Sequence, residues 1–341
     1  MKKKKKPIKK KKNNPVHLPP HKPEFVISSL SQSQGWGIKR HKIPNTWTVT
    51  QGEGIRIAVI DSGHPVHTDI GDNAIPGKNY IQGEDINDHE GHQTHCTGII
   101  CAKNNDSGMV GVAPKAQCIS IKALDKNGSG GFTGIVNALK YALKENVDLV
   151  SMSLGAASGT PGLEKAIKAL YDAGIPVIAA AGNEGKAGVG YPAKYKETIA
   201  IAAYDSNGNI ANFSSVGDEV DWAAPGVQIY STYLNNQYCK MSGTSMATPF
   251  ISGVVALLLA KHKLQEAETG KNDCKTVEQV REHLMKYTVD KGYVGKDKQF
   301  GYGELDVEQM ILAASCKDPY VPEKTPWYKR FSNWLKLMFS A

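Results

Sequence analysis

The chain has 341 residues, and its 41 Lys and Arg exceed its 33 Asp and Glu to give a formal charge of +8. Nine of the Lys lie in residues 1–12, and residues 317–341 are also basic. The rest of the chain is mildly acidic, so any attraction to nucleic acid or anionic lipid is expected from these two tails alone.

Targeting signals are not apparent in the sequence. No segment has the roughly 20 consecutive apolar residues of a membrane span. The Lys-rich start is followed by NNPVHLPPHKPEF, which is rich in Pro and His, and not by the apolar stretch of a secretion signal. The six Cys show neither CxxC pairs nor the spacing of a zinc site, which favours reduced thiols. These observations predict a cytoplasmic protein.

Composition divides the chain into three regions. Residues 1–30 are predicted to be a disordered, Lys-rich arm, because they combine charge with Pro and lack an apolar pattern. Residues 31–316 have the composition of one globular domain. In the tail at 317–341, aromatic and apolar side chains fall on one helical face and basic ones elsewhere. This tail suits a membrane surface, a dimer contact or docking on the body, and we slightly favour docking.

Alternation of apolar runs and helical patterns predicts the fold class. The predicted strands are residues 55–60, 118–124, 147–154, 175–181 and 198–204. The predicted helices between them are residues 92–102, 132–146 and 161–173. Strands that are apolar on both faces and alternate with helices predict an α/β domain with a mostly parallel sheet, covered by helices on both faces. A hairpin turning at Asn235-Asn236 and a surface helix near 275–288 are expected to follow.

The segment from Ser242 to Ala260, SGTSMATPFISGVVALLLA, begins with small residues and continues as an uncharged apolar run. Pro249 is tolerated only near a helix start, so a buried helix is expected to begin a few residues before it. A hydroxyl at the amino end of such a helix lies beside unsatisfied backbone N–H groups and the positive end of the helix dipole. Ser245 is therefore a candidate nucleophile, placed where negative charge on a substrate oxygen would be stabilised.

A Ser hydroxyl becomes a nucleophile when a base takes its proton and a carboxylate holds that base in one tautomer. Functional residues of parallel-sheet folds collect at the carboxyl ends of strands, where Asp61 follows the first predicted strand. Among the ten His, His92 opens HQTHCTG, whose small residues suit a helix packed closely on the sheet. Asp61 and His92 are therefore the candidate partners of Ser245, although each alone suits a turn or a buried structural role as well.

Four segments together resemble the signatures of subtilisin-like serine proteases: AVIDSG at Asp61, HQTHCTG at His92, AAAGNEG at Asn183 and SGTSMATP at Ser245. They occur in the family's order, and the similarity extends over about residues 36–310. The resemblance implies a serine endopeptidase of the subtilisin type with broad, apolar-leaning specificity. In it Ser245 attacks the peptide carbonyl, His92 carries the proton and Asp61 holds the His92 ring. The Asn183 amide and the Ser245 backbone N–H would bind the oxyanion.

The resemblance also implies how a peptide substrate would bind. Two backbone segments would pair with an extended substrate: Gly128, Ser129 and Gly130 on one side, and Ser153, Leu154 and Gly155 on the other. The primary pocket would have Ala180, Ala181 and Gly182 as walls and Gly190 as its floor. A floor without a side chain leaves room for a large apolar or aromatic group, although these glycines also suit ordinary turns.

A structural calcium ion is implied by the loop at 102–111, which matches the family's calcium loop in length. The oxygen ligands would be the side chains of Gln32, Asp69 and Asn105 and the backbone carbonyls of Lys103, Ser107 and Met109. An Asn- and Gly-rich turn without metal is the alternative.

Several features distinguish the chain within the family it resembles. Gln93 stands where the family nearly always has Gly, and it is expected to crowd the helix or to alter substrate access. Cys96 resembles the free thiol of the proteinase K-like branch. Residues 1–30 leave no room for the long propeptide of secreted members and are closest in layout to the intracellular subtilisins. By analogy, PVHLPPHKPEF is expected to lie across the active site until it is cut.

A binding protein is the rival hypothesis. In that case a catalytically silent body of the same fold would carry its basic and aromatic tails to anionic surfaces. The presence of a suitable residue at all four chemical positions argues against this.

Overall fold

The computed structural model of the chain describes residues 16–19, 21–26 and 31–313. The predictions about the Lys-rich run at 1–12 and about the tail at 317–341 lie outside the described residues.

The secondary-structure elements are numbered in chain order. The strands are β1 Val16–His17, β2 Glu24–Val26, β3 Arg56–Asp61, β4 Ala74–Asn79, β5 Gln117–Lys122, β6 Ser129–Gly130, β7 Leu149–Met152, β8 Val177–Ala180, β9 Thr198–Tyr204, β10 Trp222–Pro225, β11 Ile229–Tyr233, β12 Gln237–Met241, β13 Thr288–Val289 and β14 Glu304–Leu305. The α-helices are α1 Trp36–Arg40, α2 Ile43–Thr46, α3 His92–Cys101, α4 Phe132–Lys144, α5 Pro161–Asp172, α6 Thr244–Thr269, α7 Val277–Lys286 and α8 Val307–Leu312.

A seven-stranded sheet in the order β10-β9-β8-β7-β3-β5-β4 forms the centre of the molecule. Every pair of neighbouring strands in it is parallel. The prediction of a parallel α/β sheet is confirmed, and the five predicted strands correspond to β3, β5, β7, β8 and β9. The two outermost strands, β4 and β10, were not predicted. The sequence of β4, AIPGKN, carries Pro76, which is tolerated at a sheet edge but breaks the apolar pattern of a central strand.

Helices cover both faces of this sheet. Along β3, Ile57 and Val59 point into a core shared with α3 and α6. The alternate residues Ala58 and Ile60 point into a second core that contains the apolar faces of α4 and α5. This alternation produces three layers, because successive side chains of a strand face opposite sides.

Helix α6 runs through the first of these cores and is buried over most of its length. Among the described residues it is the one helix long and apolar enough to span a membrane, but 94% of its most apolar window is buried inside the domain. Burial by protein on all sides explains why this helix is apolar all round. It is a core helix that carries Ser245 at its amino end.

The predicted hairpin is confirmed, and its edge pairs with a short strand of the amino-terminal segment. β11 and β12 pair antiparallel, and Asn235 and Asn236 between them have φ values of 59° and 55°. Asn tolerates this left-handed conformation better than most residues. β2 pairs with the outer edge of β12. The disorder expected for residues 1–30 therefore does not extend to 24–26, because the edge of the hairpin supplies hydrogen-bond partners.

Candidate active site

Three predicted catalytic residues meet at the carboxyl edge of the sheet. Asp61 is the last residue of β3, His92 is the first residue of α3, and Ser245 is the second residue of α6. Their exposed fractions are 0%, 0% and 2%. Strand ends and helix starts are brought together there because each strand of a parallel sheet leads into a helix on that side.

Asp61 holds the imidazole of His92 in a single orientation. His92 Nδ1 lies 3.0 Å from Oδ1 and 2.9 Å from Oδ2 of Asp61. A proton on Nδ1 satisfies both contacts and leaves the lone pair on Nε2, which has no hydrogen-bond partner among the residues described. Burial lowers the pKa of His92, but the adjacent Asp61 charge more than offsets this and raises the pKa well above its ordinary value. The ring is therefore oriented as a base.

Ser245 is held beside His92 through its backbone. Its carbonyl oxygen accepts hydrogen bonds from Ser153 Oγ, at 2.9 Å, and from Cys96 Sγ, at 3.5 Å. The same Cys96 sulfur lies 3.8 Å from His92 Nδ1. The Ser245 hydroxyl donates to the carbonyl of Ser153, at 3.2 Å, and not to His92. Rotation about χ1 of Ser245 is therefore the motion that would bring the hydroxyl to Nε2.

Asn183 lies at the amino end of α6 and contacts it through its side-chain amide. Its Oδ1 accepts hydrogen bonds from the backbone N–H and the hydroxyl of Thr244, both at 2.9 Å. These two donors fix which end of the amide faces α6. A Cβ built on Gly243 would lie 3.0 Å from Asn183 Nδ2, so the glycine keeps space open beside that nitrogen. The nitrogen is a donor beside the start of the nucleophile helix, as an oxyanion site requires.

Gln93 lies under the Asp61 turn and is buried. Its Oε1 accepts a hydrogen bond from Gly63 N at 2.8 Å, so its side chain points towards the end of β3 and not into the substrate groove. Asp88 supports the same turn, since its Oδ1 accepts from Ser62 Oγ at 2.9 Å. Its Oδ2 accepts from Thr94 N at 2.8 Å and so binds the first turn of α3. Together these side chains connect the strand of Asp61 to the helix of His92.

Sequence reasoning did not identify Lys122 as part of this support. Its side chain is fully buried, and Nζ donates to the carbonyls of Ser62 and Asn87. An ion pair of 3.2 Å with Glu84 balances its charge. A Lys inside an otherwise apolar parallel strand was the available signal, because a buried ammonium requires several acceptors.

The predicted substrate-binding segments are occupied by the amino-terminal segment of the chain. β1 pairs antiparallel with β6, Val16 opposite Gly130 and His17 opposite Ser129. Leu18 N donates to the carbonyl of Gly128 at 2.9 Å. On the other side His17 and Gly155 exchange two backbone hydrogen bonds, each of 2.9 Å. Residues 16–18 therefore form the middle strand between the two predicted segments, in the place expected for a peptide substrate.

The same segment continues over the ring of His92. His21 Nε2 lies 2.9 Å from Glu90 Oε1, and the rings of His21 and His92 have centroids 5.0 Å apart. Burial alone would raise the pKa of Glu90, but its contacts with His21 and His92 lower it below its ordinary value. An ionised Glu90 therefore binds the amino-terminal segment next to the catalytic base.

A cavity of about 740 Å³ corresponds to the predicted primary pocket. Its walls include the predicted residues Leu154, Gly155, Ala180, Ala181, Gly182 and Gly190. His17, Leu18 and Pro19 close one side of it. A Cβ on Gly190 would lie 3.4 Å from the carbonyl of Ala156, so even a small side chain there would take up part of the cavity.

The predicted calcium ligands converge around the amide of Gln32. Its Nε2 lies 2.8 Å from the carbonyl of Lys103, 3.4 Å from Oδ1 of Asn105, 3.3 Å from the carbonyl of Ser107 and 3.2 Å from the carbonyl of Met109. The sixth predicted ligand, Asp69, borders this group, and its Oδ2 accepts from Met109 N at 2.7 Å. The six residues predicted to bind calcium therefore lie close to one another in the structure.

Comparison with known proteins places the chain in a family. The sequence profile of the Subtilase family matches residues 52–303. Subtilisin DY of Bacillus licheniformis is 39% identical over 264 residues, which cover 76% of this chain and 91% of that protein. Thermitase of Thermoactinomyces vulgaris is 39% identical over 232 residues, covering 67% of this chain and 83% of that protein. Subtilisin E of Bacillus subtilis (strain 168) is 38% identical over 293 residues, covering 84% of this chain and 73% of that protein.

The parallel sheet and the groups at its carboxyl edge are those of a serine endopeptidase. The chain belongs to the subtilase family. The prediction of a subtilisin-like endopeptidase is confirmed, and the silent binding protein is not favoured.

Proposed function

We propose that this endopeptidase uses Ser245 as its nucleophile, His92 as its general base and acid, and Asp61 to orient the ring. The pairing of His92 Nδ1 with both Asp61 oxygens, at 3.0 and 2.9 Å, is the observation that carries the proposal. It leaves Nε2 as the one nitrogen that can accept the Ser245 proton. The Cys96 contacts to both residues support the proposal by keeping the nucleophile next to the base.

In the reaction, the Ser245 oxygen attacks the peptide carbonyl while its proton moves to His92 Nε2. The tetrahedral intermediate collapses when the same proton passes to the leaving amine, and the acyl group stays on Ser245. Water then repeats the sequence and releases the acid. The negative oxygen of each intermediate accepts hydrogen bonds from Asn183 Nδ2 and Ser245 N, beside the positive end of α6.

The substrate is an extended polypeptide with broad side-chain preference. Gly130 and Gly155 offer backbone groups on the two sides of the groove, and their pairing with Val16 and His17, respectively, supports this mode of binding. The volume of the pocket and its small lining residues favour a large apolar or aromatic side chain before the cleaved bond.

The full chain is latent because its own residues 16–19 and His21 occupy the groove. His17 makes the backbone contacts of a substrate strand, Pro19 closes the pocket and His21 is bound to Glu90. Cleavage within the segment would release the groove.

A calcium ion would bind in the loop at 102–111. The convergence of four oxygens on the amide nitrogen of Gln32 supports this, because clustered oxygens repel each other unless a positive group lies among them. The residues that would hold the ion are Gln32, Asp69, Lys103, Asn105, Ser107 and Met109. The ion would supply structural stabilisation by joining this loop to the chain near Gln32 and Asp69.

The cellular location and the contacts of the two tails are further parts of the proposal. A cytoplasmic location is supported by the absence of disulfides among the described cysteines, even between Cys101 and Cys118, whose sulfurs lie 3.3 Å apart. Contact of the Lys-rich run with anionic surfaces, and docking of the tail at 317–341 on the body, a dimer partner or a membrane, rest on composition alone.

A fluorophosphonate probe, which reacts with activated serines, tests the catalytic and latency proposals separately. We expect rapid labelling of a variant that lacks residues 1–22, slow labelling of the full chain and no labelling of either with Ser245→Ala. Absence of labelling in the folded, truncated protein would contradict the assignment of Ser245. Equal labelling rates for the full and truncated chains would leave that assignment intact and contradict latency.

A further inference from the structure

Three buried side chains that could bind a metal ion meet where the chain passes from α6 to α7. They are His262 in α6, Cys274 in the connecting loop and His283 in α7, with exposed fractions of 1%, 6% and 8%. One ligand atom from each of the three lies within 4.8 Å of the others. The two imidazole rings have centroids 4.6 Å apart.

This cluster is separate from the catalytic site. His262 lies on the same helix as Ser245 but about 25 Å further along its axis, given the rise of 1.5 Å per residue. The cluster is also separate from the predicted calcium loop, which consists of oxygen ligands only. Its His and Cys side chains therefore have no role in the reaction proposed above.

The loop between the two helices is folded by its own hydrogen bonds. Asn272 Oδ1 accepts from Cys274 N at 2.8 Å, and Lys275 pairs with Glu266 of α6 at 2.7 Å. Thr276 then caps α7 through a capping box with Gln279. These contacts hold Cys274 close to the two histidines, so the ligand atoms are assembled in the folded protein.

We propose that His262, Cys274 and His283 bind a zinc ion that joins the end of the nucleophile helix to α7. Zinc prefers nitrogen and sulfur ligands in a tetrahedral arrangement, at about 2.0–2.1 Å from nitrogen and 2.3 Å from sulfur. Those lengths separate the ligand atoms by roughly 3.3–3.6 Å, so small side-chain rotations suffice to close the cluster around the ion. Calcium and magnesium are disfavoured, because they require oxygen ligands.

The charges around the cluster are of both signs. Lys261 and Asp273 act on both rings, and the rings themselves are buried. The Asp273 carboxylate acts electrostatically on both rings, and the backbone of Asp273 forms a hydrogen bond that orients His283. Asp273 is exposed, which provides an entry path, and its carboxylate or a water molecule would complete the coordination.

Cobalt(II) is the spectroscopic probe for this site, because a thiolate ligand to cobalt produces a charge-transfer band in the near ultraviolet. We would titrate cobalt into the full chain carrying Ser245→Ala, which prevents self-digestion, after treatment with a chelator. We expect the band to saturate at one equivalent and to disappear when zinc is added. Cys274→Ser should abolish the band, whereas the matched control Cys101→Ser, which alters another buried thiol, should retain it.

Thermal unfolding provides a second readout at constant calcium concentration. We expect saturating zinc to raise the unfolding midpoint of the Ser245→Ala chain by on the order of 5 °C, and not to raise that of Cys274→Ser. If Cys274→Ser does not fold, His283→Gln serves instead, with the thiolate band kept and cobalt affinity lowered on the order of 100-fold. Absence of the band in the parent chain, or unchanged binding by Cys274→Ser or His283→Gln, would overturn the proposal.

Discussion

His17 exchanges two backbone hydrogen bonds with Gly155, each of 2.9 Å, and so lies in the groove as the residue of a substrate strand would. Four residues later, His21 lies beside the catalytic histidine and is bound to Glu90. The amino-terminal segment thus covers both the peptide-binding edge and the base of the site. Latency and catalysis can be tested independently, because different side chains support each.

Loss of the His21 contact should weaken the latent state. The pair with Glu90 is mostly buried, with exposed fractions of 12% and 16%, so solvent screens it little. We expect His21→Ala to speed fluorophosphonate labelling of the full chain on the order of tenfold, as for the loss of one hydrogen bond to a charged group. The control is His89→Ala, since His89 pairs with Asp85 at 2.8 Å but in an exposed position. Equal rates for the two variants would contradict the role of His21.

The activity of the truncated enzyme should rise with pH. His92 acts as a base only when it is neutral, and the Asp61 charge holds its pKa well above the ordinary value despite burial. The value of kcat/KM should therefore increase through a pKa above that of free histidine. Asp61→Asn should lower kcat about 10⁴-fold, a magnitude established for triads of this type and not obtained from this structure. The same substitution should move the rise of kcat/KM to lower pH, because it removes the negative charge that stabilises protonated His92. If the pH at which kcat/KM rises is the same in Asp61→Asn, the rise belongs to the titration of a group other than His92.

The central strands and the pairing of Asp61 with His92 could be predicted from sequence because their signals are local. Apolar β-branched runs marked the buried strands, and Asp61 lay at the end of one of them. The hydroxyl of Ser245 points to the Ser153 carbonyl, which no sequence pattern indicates, because a side-chain rotamer depends on its neighbours. The edge strand β4 was missed because Pro76 interrupts its apolar pattern.

Contacts between segments that are distant in the sequence could not be predicted either. Gln93 was expected to crowd its helix or alter substrate access, yet it hydrogen-bonds Gly63 at the end of β3. The spacing of the cysteines gave no indication of a metal site, but the return of α7 onto α6 brings Cys274 close to two histidines. Such clusters depend on how helices pack, which the order of residues along the chain does not reveal.

Removal of calcium should lower the thermal stability of the chain. If the ion is present at about 100 times its dissociation constant, it adds about 2.7 kcal/mol to the free energy of unfolding. In a protein of this size that is a shift of roughly 4–5 °C in the unfolding midpoint. Asn105→Ala should reduce the shift caused by a calcium chelator, whereas Asn127→Ala, in another exposed turn, should not. The same chelator effect in both variants would contradict a role for Asn105.

Mercurials should inactivate the truncated enzyme through Cys96. Its sulfur lies 3.8 Å from His92 Nδ1 and 3.5 Å from the Ser245 carbonyl, so a bound mercury ion would displace both catalytic groups. Burial raises the pKa of Cys96 and favours the thiol, so we expect slow inactivation with nearly complete loss of activity. Cys96→Ala should resist the reagent, and Cys239→Ala is the control at another buried thiol. Equal sensitivity of Cys96→Ala and the parent would refute this prediction.

Gly190 should determine which side chain the enzyme accepts before the cleaved bond. A Cβ at this position would lie 3.4 Å from the Ala156 carbonyl, a close contact that the backbone can accommodate, and further atoms would extend into the cavity. Gly190→Val in the truncated enzyme should therefore exclude large side chains while leaving the triad unchanged. We expect kcat/KM for a peptide with Phe before the cleaved bond to fall on the order of 100-fold relative to one with Ala. Labelling of Ser245 by a small fluorophosphonate should stay at the parent rate and so separate specificity from loss of activity. An unchanged ratio of Phe to Ala cleavage would show that the side chain binds elsewhere.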